Sequence, residues 1–329
     1  MAIITSNYQP NCLFRNGHVQ TIFPALLRSI NGFNYQRERI ITPDEDFLDL
    51  DWSKVGSKNL ALISHGLEGS SDTAYAKGMS KILNKHQIDA LVWNYRGCSG
   101  EINLLPRYYH SGETGDLQTV INHILALNQY ESIYLLGFSV GGNITLKYLG
   151  EQSSNIHPLI KSAITYSVPC DLEASAKHLS KIQNKIYLKR FIKSLVFKIK
   201  EKAKIFPESF DITAIESIVN FEQFDNQFTA PMFGYASANE YWKSNSSKYF
   251  INSITLPTLI ITAENDPFFT KACFPIEETK HHPKVDLELN KYGGHCGFGY
   301  SPFSNQFYSE QRTIEFLANC LLSKSKSAS

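Results

Sequence analysis

The sequence predicts an α/β protein: a mostly parallel central sheet with helices on both faces and an inserted helical cap. Three observations predict it. Short apolar runs such as Leu60–Ile63 and Leu259–Ala263 alternate with amphipathic stretches of helical period. The runs are continuously apolar, as strands buried on both faces are. A segment from Leu172 to about Ser246 separates two of these runs and is too long for a loop, so it carries helices of its own.

Residues 1–36 show no clear period and form an N-terminal arm. Arg37–Ile41 and Phe47–Trp52 read as strands around the turn Pro43-Asp44-Glu45-Asp46. From there strands at Leu60–Ser64, Ile88–Trp93, Ser132–Leu136 and Ile160–Ser167 alternate with helices at Tyr75–His86, Leu117–Leu127 and Val140–Leu149. The helix at Tyr75–His86 is set by Ala76, Met79, Ile82 and Leu83. After the insertion come strands at Thr258–Thr262 and Val285–Leu289 and a helix near Gln311–Leu322. The polar end SKSKSAS, from Ser323, is predicted to be a disordered tail. Residues 1–329 thus form one domain, with its core at about 37–171 and 247–322 and its cap at about 172–246.

Composition narrows the function. Hydrophobic residues are 43% and charged residues 19%, enough for a sizeable core and against disorder. A net charge of +1 lacks the global basic field of most nucleic-acid binders. No apolar run approaches the roughly 18 residues of a membrane span, and MAIITSNYQPNCLF has no secretory signal pattern. Six cysteines without a CxxC pair predict free thiols in a reducing compartment and hence a cytoplasmic protein. No His/Cys/Asp cluster has metal-ligand spacing, so neither metal nor cofactor is expected.

In sheets of this kind the chemistry sits beyond the carboxyl ends of the strands. There, Gly137-Phe138-Ser139-Val140-Gly141-Gly142 joins a strand to a helix. This is a GxSxG turn: Gly137 and Gly141 let strand and helix approach, and Ser139 is left strained and exposed at the helix N-terminus as a candidate nucleophile. A serine needs a base, and the base needs an orienting acid. His295, in the glycine-rich loop after the last strand, is the candidate base; His281 and His282 precede that strand, and His123 and His178 sit in helical patterns. Asp266, just after Leu259–Ala263, is the candidate acid, with Glu264 and Asp171 as alternatives; Asp171 also suits the cap of the first helix of the insertion. The loop His65-Gly66-Leu67-Glu68-Gly69 suggests the backbone N–H groups of Leu67 and Val140 as an oxyanion hole, with His65 shaping the turn.

The elbow GFSVGGN, the loop HGLEGSS, NYRGCSG at 94–100 and ENDPF at 264–268 resemble the YheT-like branch of the α/β-hydrolases. FRNGHVQTIFP at 14–24, HSGETGDL at 110–117 and FGYASANEYW at 233–242 resemble further segments of that branch, so the likeness runs from about residue 14 to about residue 300. The branch includes bacterial hydrolases, fungal medium-chain ester synthase/esterases and animal abhydrolase-domain phospholipases. The resemblance implies an α/β-hydrolase fold and a triad of Ser139, Asp266 and His295 but settles no substrate; the expected activity is hydrolysis of small-molecule or lipid carboxylic esters, with short- to medium-chain acyl groups among them. Trp242, where a second tyrosine is expected, and Cys296, directly after the histidine, depart from it.

The same residues serve an acyltransferase that passes the acyl group to an alcohol, and the same fold serves a non-catalytic binding scaffold. The insertion adds a basic stretch: nine Lys/Arg and one Glu lie between Lys181 and Lys204. Leu188, Phe191, Ile192, Leu195 and Ile199 recur at helical spacing beside a stripe of Lys185, Lys189, Lys193, Lys200 and Lys204. The expectation is a cap helix packed on the core with a solvated basic face. Weak contact with an anionic membrane is the functional alternative, and nucleic-acid binding is not expected.

Overall fold

The computed structural model describes residues 3–302 and 304–327. One nine-stranded sheet runs through them in the order β1-β9-β8-β7-β6-β4-β5-β3-β2. The strands are β1 (Ile3–Ile4), β2 (Gln36–Ile41), β3 (Phe47–Ser53), β4 (Asn59–Ser64), β5 (Asp89–Asn94), β6 (Ser132–Phe138), β7 (Ile160–Tyr166), β8 (Thr258–Ala263) and β9 (Val285–Asn290). β2 and β3 pair antiparallel, as do β3 and β5. Every other pair is parallel.

Strands β5, β6 and β8 are buried throughout and β7 at every residue but Lys161, as continuous apolar runs require, because helices cover both faces. Those helices include α1 (Gly17–Leu27), α2 (Ala74–Lys85), α3 (Thr114–Ala126) and α4 (Val140–Gln152). α4 is almost wholly buried, its polar Asn143, Thr145 and Lys147 included, so it has almost no solvent face to make amphipathic. The terminal helix Tyr308–Ser327 runs past Ser323, into the stretch expected to be a disordered tail. That stretch holds no glycine or proline to stop a helix. Residues 328 and 329 of the expected tail lie outside the described residues.

The N-terminal arm is more ordered than its sequence suggests. It adds β1 beside β9 and supplies α1. Asn16 starts α1 by accepting the N–H groups of His18 and Val19.

Between β7 and β8 the described elements are all helical. α5 (Leu172–Leu179) and α6 (Lys185–Ile205) come first, and shorter turns lead to a helix at Ala238–Asn245. They close around their own apolar cluster, which meets the sheet through Leu67, Tyr108, Phe268 and Phe269. Of the stripe expected on α6, Lys185, Lys189, Lys193 and Lys204 are exposed and Lys200 is half-exposed. Lys198 and Lys202, on its inner side, are buried: Lys198 Nζ reaches Glu68 at 2.7 Å and Lys202 Nζ the Leu105 carbonyl at 2.6 Å. Long aliphatic stems let lysines lie along an apolar face while the ammonium finds a partner, which a count of charge cannot foresee.

The sheet order turns at β4. Its successor β5 lies on one side and β6 on the other, which opens a crevice beyond their carboxyl ends. Ser64 pairs with Gly137 there, so the loops after β4 and β6 face each other.

Candidate active site

Ser139 sits at the N-terminus of α4 with φ 53° and ψ −122°, a strained backbone for a residue with a Cβ. Two close approaches force the turn. A Cβ on Gly137 would strike Gly142, and one on Gly141 would strike the Ser64 and His65 carbonyls. The Ser139 N–H donates to the Tyr166 carbonyl at 2.8 Å, which ties the turn to β7.

The loop after β9 brings His295 Nε2 to 2.9 Å from Ser139 Oγ. His295 Nδ1 lies 2.9 Å from Asp266 Oδ2 and 3.2 Å from Oδ1. Because Nδ1 faces a carboxylate it keeps its proton in the neutral ring, whose Nε2 is then open to accept from the serine. Burial works against the charged imidazole, but the Asp266 carboxylate outweighs it and raises the His295 pKa above the ordinary histidine value. Asp266 is buried and also accepts the Phe268 N–H at 2.9 Å. The alternative acids stand elsewhere. Glu264 is exposed, while Asp171 caps α5 through the Ala174 N–H and pairs with Lys248.

In the loop after β4, the Gly66 and Glu68 N–H groups donate to the hydroxyls of Tyr75 and Tyr109, each at 2.9 Å. Leu67 lies between them, and Leu67 and Val140 line the same cavity as Ser139 and His295. His65 shapes this turn. Its Nε2 accepts the Tyr95 N–H at 3.3 Å and its Nδ1 donates to the Gly66 carbonyl at 2.8 Å. Burial pulls its pKa down to about 4.

Several positioning contacts have no motif of their own. Thr21 Oγ1 accepts the His295 N–H at 2.8 Å, Asn265 Oδ1 the Gly294 N–H at 3.0 Å and Ser167 Oγ the Cys296 N–H at 2.9 Å. Phe268 stacks on the imidazole with ring centres 3.9 Å apart. The segment FRNGHVQTIFP contains Thr21, so the likeness over 14–24 was the one signal for that contact. Cys296, a departure from the family pattern, takes φ 57° at the turn of the histidine loop.

A cavity opens between Ser139 and the cap. Its walls are mainly apolar and aromatic, among them Leu172, Leu179, Phe191, Phe221, Phe224, Trp242 and Phe268. One carboxylate, Asp225, also lines it and was not singled out in the sequence. It opens a π-helical turn, Asp225–Thr229, and accepts from Thr229 Oγ1 at 2.6 Å and Trp242 Nε1 at 2.8 Å. Burial raises its pKa to about 6. Trp242, the other departure, thus supplies a hydrogen bond that ties the carboxylate down.

The family model for the alpha/beta hydrolase fold matches residues 61–301. The chain belongs to the α/β-hydrolase fold family. Within this family it is 33% identical to the Escherichia coli protein YheT, named as a candidate esterase, over 95% of this chain and 93% of that one. It is 30% identical to phospholipase ABHD3 of Mus musculus, over 90% of this chain and 74% of that one. Among solved α/β-hydrolases, the Pyrococcus furiosus esterase Pf2001 superposes with a TM-score of 0.59 at 19% identity, over 88% of this chain and 92% of that one. At that identity the likeness speaks for the fold alone.

Proposed function

We propose that this α/β-hydrolase is a serine hydrolase of carboxylic esters, with Ser139, His295 and Asp266 as its triad. The observation that carries the reading is the imidazole of His295, set between Ser139 Oγ and the Asp266 carboxylate at 2.9 Å on each side. The esterase and phospholipase names of the relatives support the same class.

Ser139 Oγ attacks the ester carbonyl while His295 Nε2 takes its proton. Asp266 keeps the imidazole in the required tautomer and stabilises its charged form. The N–H groups of Leu67 and Val140 receive the oxyanion, helped by the N-terminus of α4. His295 returns the proton to the leaving alkoxide, and the acyl group stays on Ser139. Water, deprotonated by the same nitrogen, then releases the acid. The cavity under the cap takes the apolar part of the ester, which suits short- to medium-chain or lipid acyl groups.

A fluorophosphonate probe tests the reading. It should label the wild-type protein and not Ser139→Ala, and only the wild type should hydrolyse a short p-nitrophenyl ester. Adding ethanol to the assay separates hydrolysis from acyl transfer, since a transferase would form the ethyl ester at the expense of free acid. Labelling that persists in Ser139→Ala would overturn the assignment.

A further inference from the structure

Two apolar faces meet beside the active site, left open by the described residues. α1 carries no charged residue from Gly17 to Leu27 and turns Gln20, Thr21 and Pro24 inward. Its other side leaves Val19, Ile22, Leu26 and Leu27 in solvent, the two leucines each 66% exposed. The start of the cap does the same, with Ile182 87% and Ile186 78% exposed. The two faces join where the His18 ring stacks on Tyr187 and His18 Nδ1 meets the Tyr187 hydroxyl at 3.0 Å. Exposed aliphatic residues gathered in this way mark an interaction surface.

The charges around it say what it meets. Lys181, Lys185, Lys189, Arg190 and Lys193 are in no ion pair among the described residues, whereas Lys198, Lys200 and Lys204 each have an acidic partner. No Asp or Glu occurs between Glu173 and Glu201. One of the five open cations, Lys185, lies in the first turn of α6, where the helix dipole disfavours positive charge. No acid among the described residues pairs with them, so an external anionic surface would compensate them.

We infer that this face docks the protein on an anionic lipid bilayer, with the aliphatic side chains of α1 and Ile182 and Ile186 entering the headgroup layer and the five cations meeting lipid phosphates. Aliphatic side chains ringed by lysine and arginine are the composition of an interfacial helix. A second copy of the chain fits poorly, because a two-fold contact would set the five cations of one copy against those of the other. The docking stands without the ester reading. Its consequence for substrate supply rests on that reading: behind the seam, Tyr187 packs on Phe268 at 4.9 Å and Phe268 on the His295 ring, so docking would turn this aromatic path toward the lipid.

Flotation with vesicles at low salt tests the docking without any ester present. The wild-type protein should bind vesicles of phosphatidylglycerol and phosphatidylcholine, and lose binding as salt rises. Each basic side chain near the surface contributes on the order of fivefold, so changing Lys185, Lys189 and Lys193 together to Gln should weaken partitioning by about 100-fold. Ile22→Ser with Leu26→Ser should weaken it by about tenfold or more, because the aliphatic insertion is lost. Both variants should hydrolyse a soluble short ester and label with fluorophosphonate like the wild type, which separates failed docking from a failed fold and from a failed ester reading. Absence of wild-type binding, binding indifferent to both sets of changes, or a wild-type dimer that the α1 variant splits would each overturn the inference.

Discussion

The loops after β4 and β9 each place a histidine at a strand end against the same serine turn, and they use it in opposite ways. His65 is wholly buried, donates to one backbone carbonyl, accepts from one backbone N–H and has its pKa pulled down. His295 keeps a tenth of its side chain exposed, faces a carboxylate and has its pKa raised. Both are enclosed, so burial alone does not make a base. A charged partner on one ring nitrogen and an open approach to the other do.

Four experiments break or sharpen that contrast. The largest effect is expected on the β9 side: His295→Ala should lower kcat for a soluble ester by about 10⁶-fold, as loss of the base in a serine hydrolase does. Asp266→Asn should lower kcat by roughly 10⁴-fold, because the tautomer is no longer enforced; comparable loss in Asp171→Asn would move the acid there. His65→Leu strands the Tyr95 N–H, at a cost on the order of 1–3 kcal/mol, and removes one of the two donors to the Gly66 carbonyl, so the urea midpoint should fall. Its kcat should stay within about tenfold of wild type, since His65 moves no proton in the proposed reaction. A loss as large as that of His295→Ala would erase the contrast.

The smallest effect is in the pH dependence of stability, and its sign differs between the two loops. Between about pH 6.5 and 4 the unfolded chain protonates at residue 65 while the folded chain does not, so His65 costs the wild type stability as pH falls through that window. His295 holds its proton above pH 6.5 when folded and loses it when unfolded, so its stabilisation is full below 6.5 and is lost as pH rises toward its elevated folded value. Urea midpoints across pH should show the acid-side slope shrink in His65→Leu and the alkaline-side slope shrink in Asp266→Asn. The same slopes in both variants as in the wild type would contradict the assignment of charge to either ring.

What could be read from the sequence and what could not divides along the same physical line. The parallel strands, the GxSxG turn and the positions of Asp266 and His295 were legible because each is written within a few residues of a strand end. The clasp of Thr21 on His295, the pairing of β1 with β9 and the tie of Lys198 to Glu68 join segments far apart in the chain, and no local period encodes them. The outer basic stripe of α6 was legible from its helical spacing, whereas the burial of Lys198 and Lys202 was not. Which lysines turn inward depends on what α6 meets, and Glu68 at the β4 turn accepts Lys198, Ser194 and Tyr109 together. Asp225 was invisible because a lone acid in a helical stretch reads as surface, and only folding shows it under Trp242.

The clasp on His295 has a consequence for biogenesis. Thr21 and His295 lie 274 residues apart in the chain. On a ribosome adding about 5–20 residues per second, Thr21 emerges roughly 15–55 s before the loop it holds is made. β1 waits longer than most of the sheet as well, because β9 is the last strand to be translated. The elbow at Ser139 can therefore form on a nascent chain whose base does not yet exist, and the leading segment, with its uncharged apolar helix, is exposed throughout elongation. Chains stalled before His295 should then be the ones that holdase chaperones capture through α1, and a pulse-chase on arrested chains of increasing length would show that capture end as residue 295 clears the exit tunnel.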